Sequence, residues 1–188
     1  GIRSPMDNAG RMPDPVDTLP AAAPTDGMTM QTPLDSTHLQ TFIDAHRLDA
    51  TILSMDMPTA TVVDAARALN VAAENIIKSL LFMADDRPIL VINNGTARVD
   101  RKKLAAYLGM NRKRVKFASA EEALAISGFV VGSMPPFGHR QPLKTLIDVA
   151  AADQQTVYGG GGRIDAMMRM SSADLIRTTR AEIVDLSE

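Results

Sequence analysis

The sequence predicts a single α/β domain, built on a mixed, curved, barrel-like β-sheet flanked by helices. Three observations carry this expectation. Segments of strand alternation and of helical period are interspersed along the chain without a strict βαβ rhythm. The length of 188 residues suits one domain with a substantial core. Apolar residues make up 45% and charged residues 22%, both ordinary for a globular protein, and no internal repeat is evident.

Composition narrows the chemistry. Trp is absent and aromatics are only 4%, so the core must be filled by Leu, Ile, Val, Ala and the 12 Met. The absence of cysteine excludes disulfides, thiol catalysis and thiolate metal sites, and suits a reducing compartment. No apolar run approaches the ~20 residues that span a bilayer. A soluble, cytoplasmic protein with no membrane partner is expected.

Residues up to about Leu34 carry Pro5, Pro13, Pro15, Pro20, Pro24 and Pro33 and show no sustained period. Residues 1–35 therefore read as a disordered or loosely ordered tail, and 36–188 as the folded domain. Gly1–Pro5 read as a cloning remnant ahead of a native Met6.

Within the domain, Ser36 is expected to cap a helix whose apolar positions are Leu39, Phe42 and Ile43. A strand follows near Ala50–Met55. Thr61 opens a second helix, with Asp64 at its third position. Ile76–Ala84 and Pro88–Asn93 read as strands joined by a turn at Asp85–Arg87, and Asn94-Gly95 as a tight hairpin turn. Asp100 caps a helix that runs to Leu108 and stops at Gly109. Ser119 with Glu122 forms a capping box for a helix ending near Gly128. After a Gly/Pro loop, Leu143–Val149 and Met167–Met170 read as strands, with the glycine run 159–162 between them. A helix over 172–178 and a strand over 182–186 end the chain.

Charge is unevenly placed. Between Arg98 and Phe117 eight cations face only Asp100, giving this window +7 and the remainder −9 within a net charge of −2. Such a strip can dock a phosphate backbone, and equally can be a solvated helix face with a basic turn.

One residue breaks the apolar pattern. Alternation places Lys78 on the face of Ile76, Leu80 and Phe82, while Ile77, Ser79, Leu81 and Met83 make the other face apolar too. The strand reads as central, where an unpaired ammonium is costly to bury. Lys78 either snorkels to solvent or is aimed into a cavity to meet an anionic or carbonyl group.

A second constellation spans Gly128–His139, with Gly132, Gly138 and Pro135-Pro136. Glycine admits close backbone approach and two prolines fix φ, which gives a stiff loop rich in carbonyl acceptors. It is either a connector or a cradle for a water or a ribose hydroxyl. His38, His46 and His139 do not suggest a metal site. Neither a Ser-His-Asp order nor a phosphate-binding Gly-Lys loop is evident, so no cofactor is expected.

Taken in order, Ile76-Ile77-Lys78-Ser79-Leu80, Arg98-Val99-Asp100-Arg101-Lys102-Lys103-Leu104, Gly132-Ser133-Met134-Pro135-Pro136-Phe137-Gly138 and Gly160-Gly161-Gly162-Arg163 resemble the YbaK/prolyl-tRNA-synthetase-associated editing family. Ser172-Ala173-Asp174-Leu175 and Ala181–Leu186 fit it as well. The resemblance runs from Ser36 to the end and implies the family's α/β fold and hydrolysis of mischarged aminoacyl-tRNA, mostly on proline tRNA. It carries the functional lysine onto Lys78 and the Gly-x-x-x-Pro loop onto Gly132–Pro136, with Ser133 and His139 in the same loop. It implies a substrate pocket that includes Ser79, Gly160, Gly161 and Gly162. Arg98, Arg101, Lys102, Lys103, Arg112, Lys113 and Arg114 would contact the acceptor stem. Prolyl-tRNA synthetase or an elongation factor would be a further partner.

Gly160 and Met167 stand where the cysteine-removing subgroup has a serine and an aspartate. The expected reaction is therefore removal of a small amino acid other than cysteine. It would need no covalent intermediate: Lys78 orients the ester and the loop backbone positions water, while His139 either assists or stabilises the loop. The competing expectation is a module that binds tRNA or a synthetase without catalysis.

Overall fold

The computed structural model describes residues 32–59 and 61–188. The expectations for the tail up to Gln31, and for the remnant before Met6, lie outside the described residues. Thr32–Leu34 are ordered on the surface of the domain, where Leu34 N–H donates to the Gly128 carbonyl at 2.7 Å.

Helix α1 spans Ser36–His46. Its cap is Asp35, one residue earlier than expected, whose carboxylate accepts from the amides of Thr37 and His38. Ser36 is freed from that role and its hydroxyl donates to the Gly161 carbonyl at 2.7 Å. Strand β1 is Ala50–Ser54 and helix α2 is Val62–Leu69, with Thr61 Oγ1 accepting from the Asp64 amide as the sequence predicts. Strands β2 (Ile77–Ala84) and β3 (Arg87–Asn94) form an antiparallel hairpin turning at Asp85-Asp86. Asp85 adopts φ of 55°, which a short polar side chain tolerates.

The Asn94-Gly95 turn is not a hairpin. Asn94 Oδ1 accepts from the Thr96 amide at 3.0 Å and directs the chain into helix α3, Arg101–Leu108. Asp100 caps α3, and Gly109 ends it at φ 68°. Strand β4 (Val115–Phe117) follows, then helix α4 (Ala120–Ser127) with the expected Ser119–Glu122 capping box. Strand β5 is Lys144–Asp148, helix α5 Val149–Ala152, strand β6 Thr156–Gly160 and strand β7 Ala166–Ser171. Helix α6 (Ser172–Thr179) and strand β8 (Glu182–Val184) complete the fold.

The α/β class holds, but the strands form two sheets rather than one. One is three-stranded and antiparallel, in the order β1-β7-β6; the other is five-stranded and mixed, in the order β4-β2-β3-β5-β8. A single bridge between Ile76 and Tyr158 joins them. Alternation buries both faces of the larger sheet. Leu81, Leu90, Ile92 and Ile147 pack toward α1, α5 and α6, while Phe82, Ile89, Val91 and Leu146 pack toward α3 and Leu186. Among the described residues no helix is long and apolar enough to cross a membrane.

One buried carboxylate helps to hold the C-terminal segment. Asp148 accepts from the Leu186 amide at 2.7 Å and caps α5 through the Ala150 amide at 3.0 Å. Asp148→Ala strands both amides, and hydrogen bonds to charged groups each contribute about 1.5–3 kcal/mol. Urea unfolding of this variant is expected to show a loss on the order of 3 kcal/mol with an unchanged slope.

Candidate active site

The site begins as a gap in sheet pairing. Strand β4 covers β2 only over Phe82–Ala84. Just beyond, the Ala118 amide donates to the Leu81 carbonyl at 2.9 Å, and at the start of the strand Ile76 bridges β6. Between these points the Lys78–Leu80 edge is uncovered. Backbone polar groups alternate sides along a strand, so the peptide of Ser79 faces this edge as that of Leu81 does.

A cavity of about 340 Å³ opens at the gap. Ile77, Leu81, Ala123, Met134 and Met167 supply apolar wall, and Thr59, Thr61 and Ser79 supply hydroxyls. The Ser79 hydroxyl is the one buried side-chain polar atom without a hydrogen-bond partner among the described residues. Such a vacancy is destabilising by about 1–3 kcal/mol, and a ligand in this cavity could fill it.

Lys78 lines this cavity, on the face alternation predicted, but it is exposed rather than buried. The cover formed by α3 and Leu186 over Phe82 and Ala84 stops short of it, and a second cleft of about 720 Å³ opens there instead. Lys78 is part of the wall of both hollows. Among the described residues its ammonium has no carboxylate partner.

The Phe129–Gly138 loop forms the opposite lip through Val131, Gly132 and Met134. Gly132 has φ of 95°, and a Cβ there would meet open space. Here glycine serves conformation and access rather than close packing. The loop is less rich in free acceptors than expected. The Val130, Ser133 and Pro135 carbonyls accept from Ser133, Gly162 and His139 respectively. Among the described residues no such partner meets the Gly132 peptide.

Ser133 is fully buried and its hydroxyl donates to the Val130 carbonyl at 2.8 Å, so it braces the loop. Pro136 is also buried and off the cavity wall. The His139 ring donates from Nε2 to the Pro135 carbonyl at 2.7 Å and meets Phe129 edge-on. His139 does not line the cavity, which favours the loop-stabilising role over a part in the chemistry.

Of the expected glycine run, only Gly160 reaches the cavity wall. A Cβ on Gly160 would lie 2.2 Å from the Met134 carbonyl oxygen, so a serine fits only if the loop moves. Gly161 is pressed against Ala166, and Gly162, at φ 89°, against the start of α1. Both belong to the scaffold rather than the pocket. Met168 and Met170 are core, as composition suggested, whereas Met167 also faces the cavity.

The basic strip divides. Arg98, Arg101, Lys102 and Arg112 line the larger cleft, together with the carboxylate residues Asp100 and Glu188. Asp100 is engaged in capping, and its acceptance of the Lys102 amide holds its carboxyl below the usual range. Lys103 lies outside that wall, bound to the Ser187 carbonyl at 2.6 Å and to Asp185 at 3.1 Å. Arg114 is paired with Asp85, which keeps that carboxyl low, and Lys113 is exposed away from the cleft. Sequence reasoning missed Thr59, Thr61, Val131 and Phe117 as site residues. Thr61 carried only a capping signal and Val131 only its place in the Gly128–His139 loop, while Thr59 and Phe117 carried none. No cluster of metal-ligating side chains occurs among the described residues.

The α/β fold thus carries an apolar pocket that opens beside a basic cleft. Residues 56–178 match the family described as the aminoacyl-tRNA editing domain, and the chain belongs to that family. A proline–tRNA ligase of Ligilactobacillus salivarius is 36% identical over 106 residues, covering 56% of this chain and 18% of the ligase. The protein YwhH of Bacillus subtilis is 28% identical over 125 residues, covering 66% of this chain and 78% of YwhH. The chain thus spans under a fifth of the ligase and most of the second relative. A crystal structure described as a candidate trans-editing enzyme for prolyl tRNA synthetase superposes with a TM-score of 0.75 at 27% identity, covering 81% of this chain and 96% of that one.

The loop brace is expected to be pH-sensitive. Burial pushes His139 down from 6.5 to about 4, against the opposing pull of the Pro135 hydrogen bond. Between those values the unfolded state binds the proton and the folded state does not, so stability falls as pH drops. Denaturant melts at pH 7 and pH 5 are expected to show a larger loss for the wild type than for His139→Gln, whose amide does not titrate. Equal losses would remove His139 as the cause.

Proposed function

We propose that this protein is an aminoacyl-tRNA deacylase acting in trans, which hydrolyses the ester of a small amino acid wrongly attached to proline tRNA. The observation that carries the reading is the position of Lys78, an ammonium without a carboxylate partner among the described residues, at the junction of an apolar cavity and a basic cleft. Membership of the editing family supports the reaction class, and similarity to prolyl-tRNA ligases supports the choice of tRNA.

In this reading the acyl group enters the cavity and the transfer RNA end lies along the cleft. Water attacks the ester carbonyl carbon, the resulting oxyanion collapses, and the C–O bond to ribose breaks. The ribose oxygen takes up a proton, and a free amino acid and an unacylated tRNA leave. Among the residues lining the cavity Lys78 is the one titratable group, so no carboxylate or imidazole is offered as a general base. The chain's contribution is positioning and charge. Lys78 orients the carbonyl or an adjacent phosphate, the Gly132 peptide holds the water, and Ser79 Oγ accepts from the substrate's α-ammonium.

The apolar wall favours small acyl groups, and rigid packing excludes larger ones more sharply than lost contacts rank the small ones. Gly160 and Met167 place no polar side chain where a thiol-selective pocket would need one. Alanyl and similar esters are expected to be cut, prolyl esters spared, and cysteinyl esters disfavoured.

A rate series over alanyl, seryl, cysteinyl and prolyl tRNA tests the assignment, with Lys78→Ala as the control. The variant is expected to remain folded, because Lys78 is exposed, and to lose deacylation at least a hundredfold. Turnover undiminished in that variant would sink the mechanism. Binding of tRNA without hydrolysis of any ester would favour the non-catalytic module instead.

The divided basic strip gives a second test. Each phosphate contact contributes ~0.7–0.9 to the slope of log affinity against log salt. Replacing Arg98, Lys102 and Arg112 by Gln is expected to flatten that slope by about 2. Replacing Lys103 and Arg114, which have partners within the chain, is expected to change it much less. The reverse pattern would move the tRNA path off the cleft.

A further inference from the structure

Phe117 is 57% exposed, in a chain with only five phenylalanines. It ends β4, where register sets it opposite the fully buried Phe82, with ring centroids 4.4 Å apart and planes tilted by 30°. The ring is therefore braced by the core on one side and open on the other. Phe117 also belongs to the wall of both hollows, a position it shares with Lys78 and Leu80. On the cleft side the same wall carries Arg98, Arg101, Lys102 and Arg112.

Nothing in the strand's own pairing requires an aromatic at this exposed position. A rigidly backed ring flanked by cations is the arrangement on which unpaired nucleobases stack, since every base offers a π-face and the cations follow its phosphates. Distances along the strand agree. Lys78 precedes Phe82 by four residues, about 14 Å at 3.4 Å per residue, a span that one nucleotide and a lysine side chain bridge together.

We propose that Phe117 is the stacking platform for the terminal nucleobase of the aminoacyl-tRNA. It holds that base at the mouth of the cleft while the attached acyl group passes Lys78 into the cavity. This rests on the deacylase reading above and adds the residue that fixes the register of the ligand. Phe117 is thus a positioning residue, and its loss affects placement of the 3′ end rather than the chemistry of the ester.

The test uses a short RNA hairpin with the acceptor-stem sequence of proline tRNA, whose 3′-terminal adenine is replaced by the fluorescent base 2-aminopurine. Stacking quenches this base. Wild-type protein and Phe117→Tyr are expected to quench it on binding. Phe117→Leu is expected to bind about tenfold more weakly and to leave the fluorescence nearly unquenched, with an unaltered melting profile. Its kcat/KM on mischarged tRNA should fall by a similar factor. Equal quenching by wild type and Phe117→Leu, or active wild type that never quenches, overturns the stacking role and leaves the deacylase reading intact. A wild-type protein that neither binds the hairpin nor cuts any mischarged tRNA overturns both.

Discussion

The arrangement depends on an incomplete β-ladder. Strand β2 is the inner strand that two neighbours share on one edge, β6 touching it at Ile76 and β4 at Phe82–Ala84. Had either extended further, the Lys78–Leu80 edge would be paired and the cavity closed. An unpaired strand edge is usually a liability for association with other chains. Here it faces the Phe129–Gly138 loop across a cavity of about 340 Å³. A separate break, in the cover that α3 and Leu186 lay over the face of Phe82 and Ala84, lets Lys78 sit in an apolar strand without the penalty of burial. Its side chain leaves the sheet where the sheet's cover ends.

The loop can hold that position only because other backbones fit closely against it. Gly160 lies against the Met134 carbonyl with no room for a Cβ, and the Gly162 amide donates to the Ser133 carbonyl at 3.0 Å. His139 locks the following turn. From the far side, Phe137 stacks on Phe42 of α1 with centroids 5.3 Å apart. The glycine run is thus a mould for the loop, and a polar side chain at Gly160 would disturb the Gly132 lip rather than simply add a contact. Under the proposed function, substrate preference at this pocket is tied to backbone packing as much as to the chemistry of its walls.

Much of the fold was legible because its signals are local. Thr61, Asp100 and the Ser119–Glu122 pair each state a helix start in their own residues, and Gly109 states an end. Alternation in β2, β3 and β5 reads directly as buried strands. The misses are those that need partners distant in sequence. Val115–Phe117 is too short to show alternation and becomes a strand only by pairing with Phe82–Ala84. Strand β6 ends in glycines that read as loop, yet Gly159 and Gly160 pair with Met168 and Met167. Asn94-Gly95 carries a hairpin signal, but with no strand after it the side chain of Asn94 builds a turn into α3. Division of the strands into two sheets is likewise a tertiary fact.

At the site, residue types marked Lys78 and the Gly132 loop, but their surroundings could not be read. Periodicity leaves Lys78 either snorkelling to solvent or aimed into a cavity, because it says which face a residue occupies and not whether that face is covered at that point. The charge count found the basic strip, but could not separate cations that face the cleft from those, such as Lys103 and Arg114, already neutralised by Asp185 and Asp85. The separation has a physical consequence. Paired cations add little field beyond their partners, and the cations without a carboxylate partner among the described residues that face the cleft are Arg98, Arg101, Lys102 and Arg112. That group is contiguous with Lys78 around one hollow on an otherwise acidic chain. Under the proposed function a polyanion is therefore drawn to the mouth of the cavity rather than to the surface at large, and Phe117 sets the register in which the ester at its end meets the pocket.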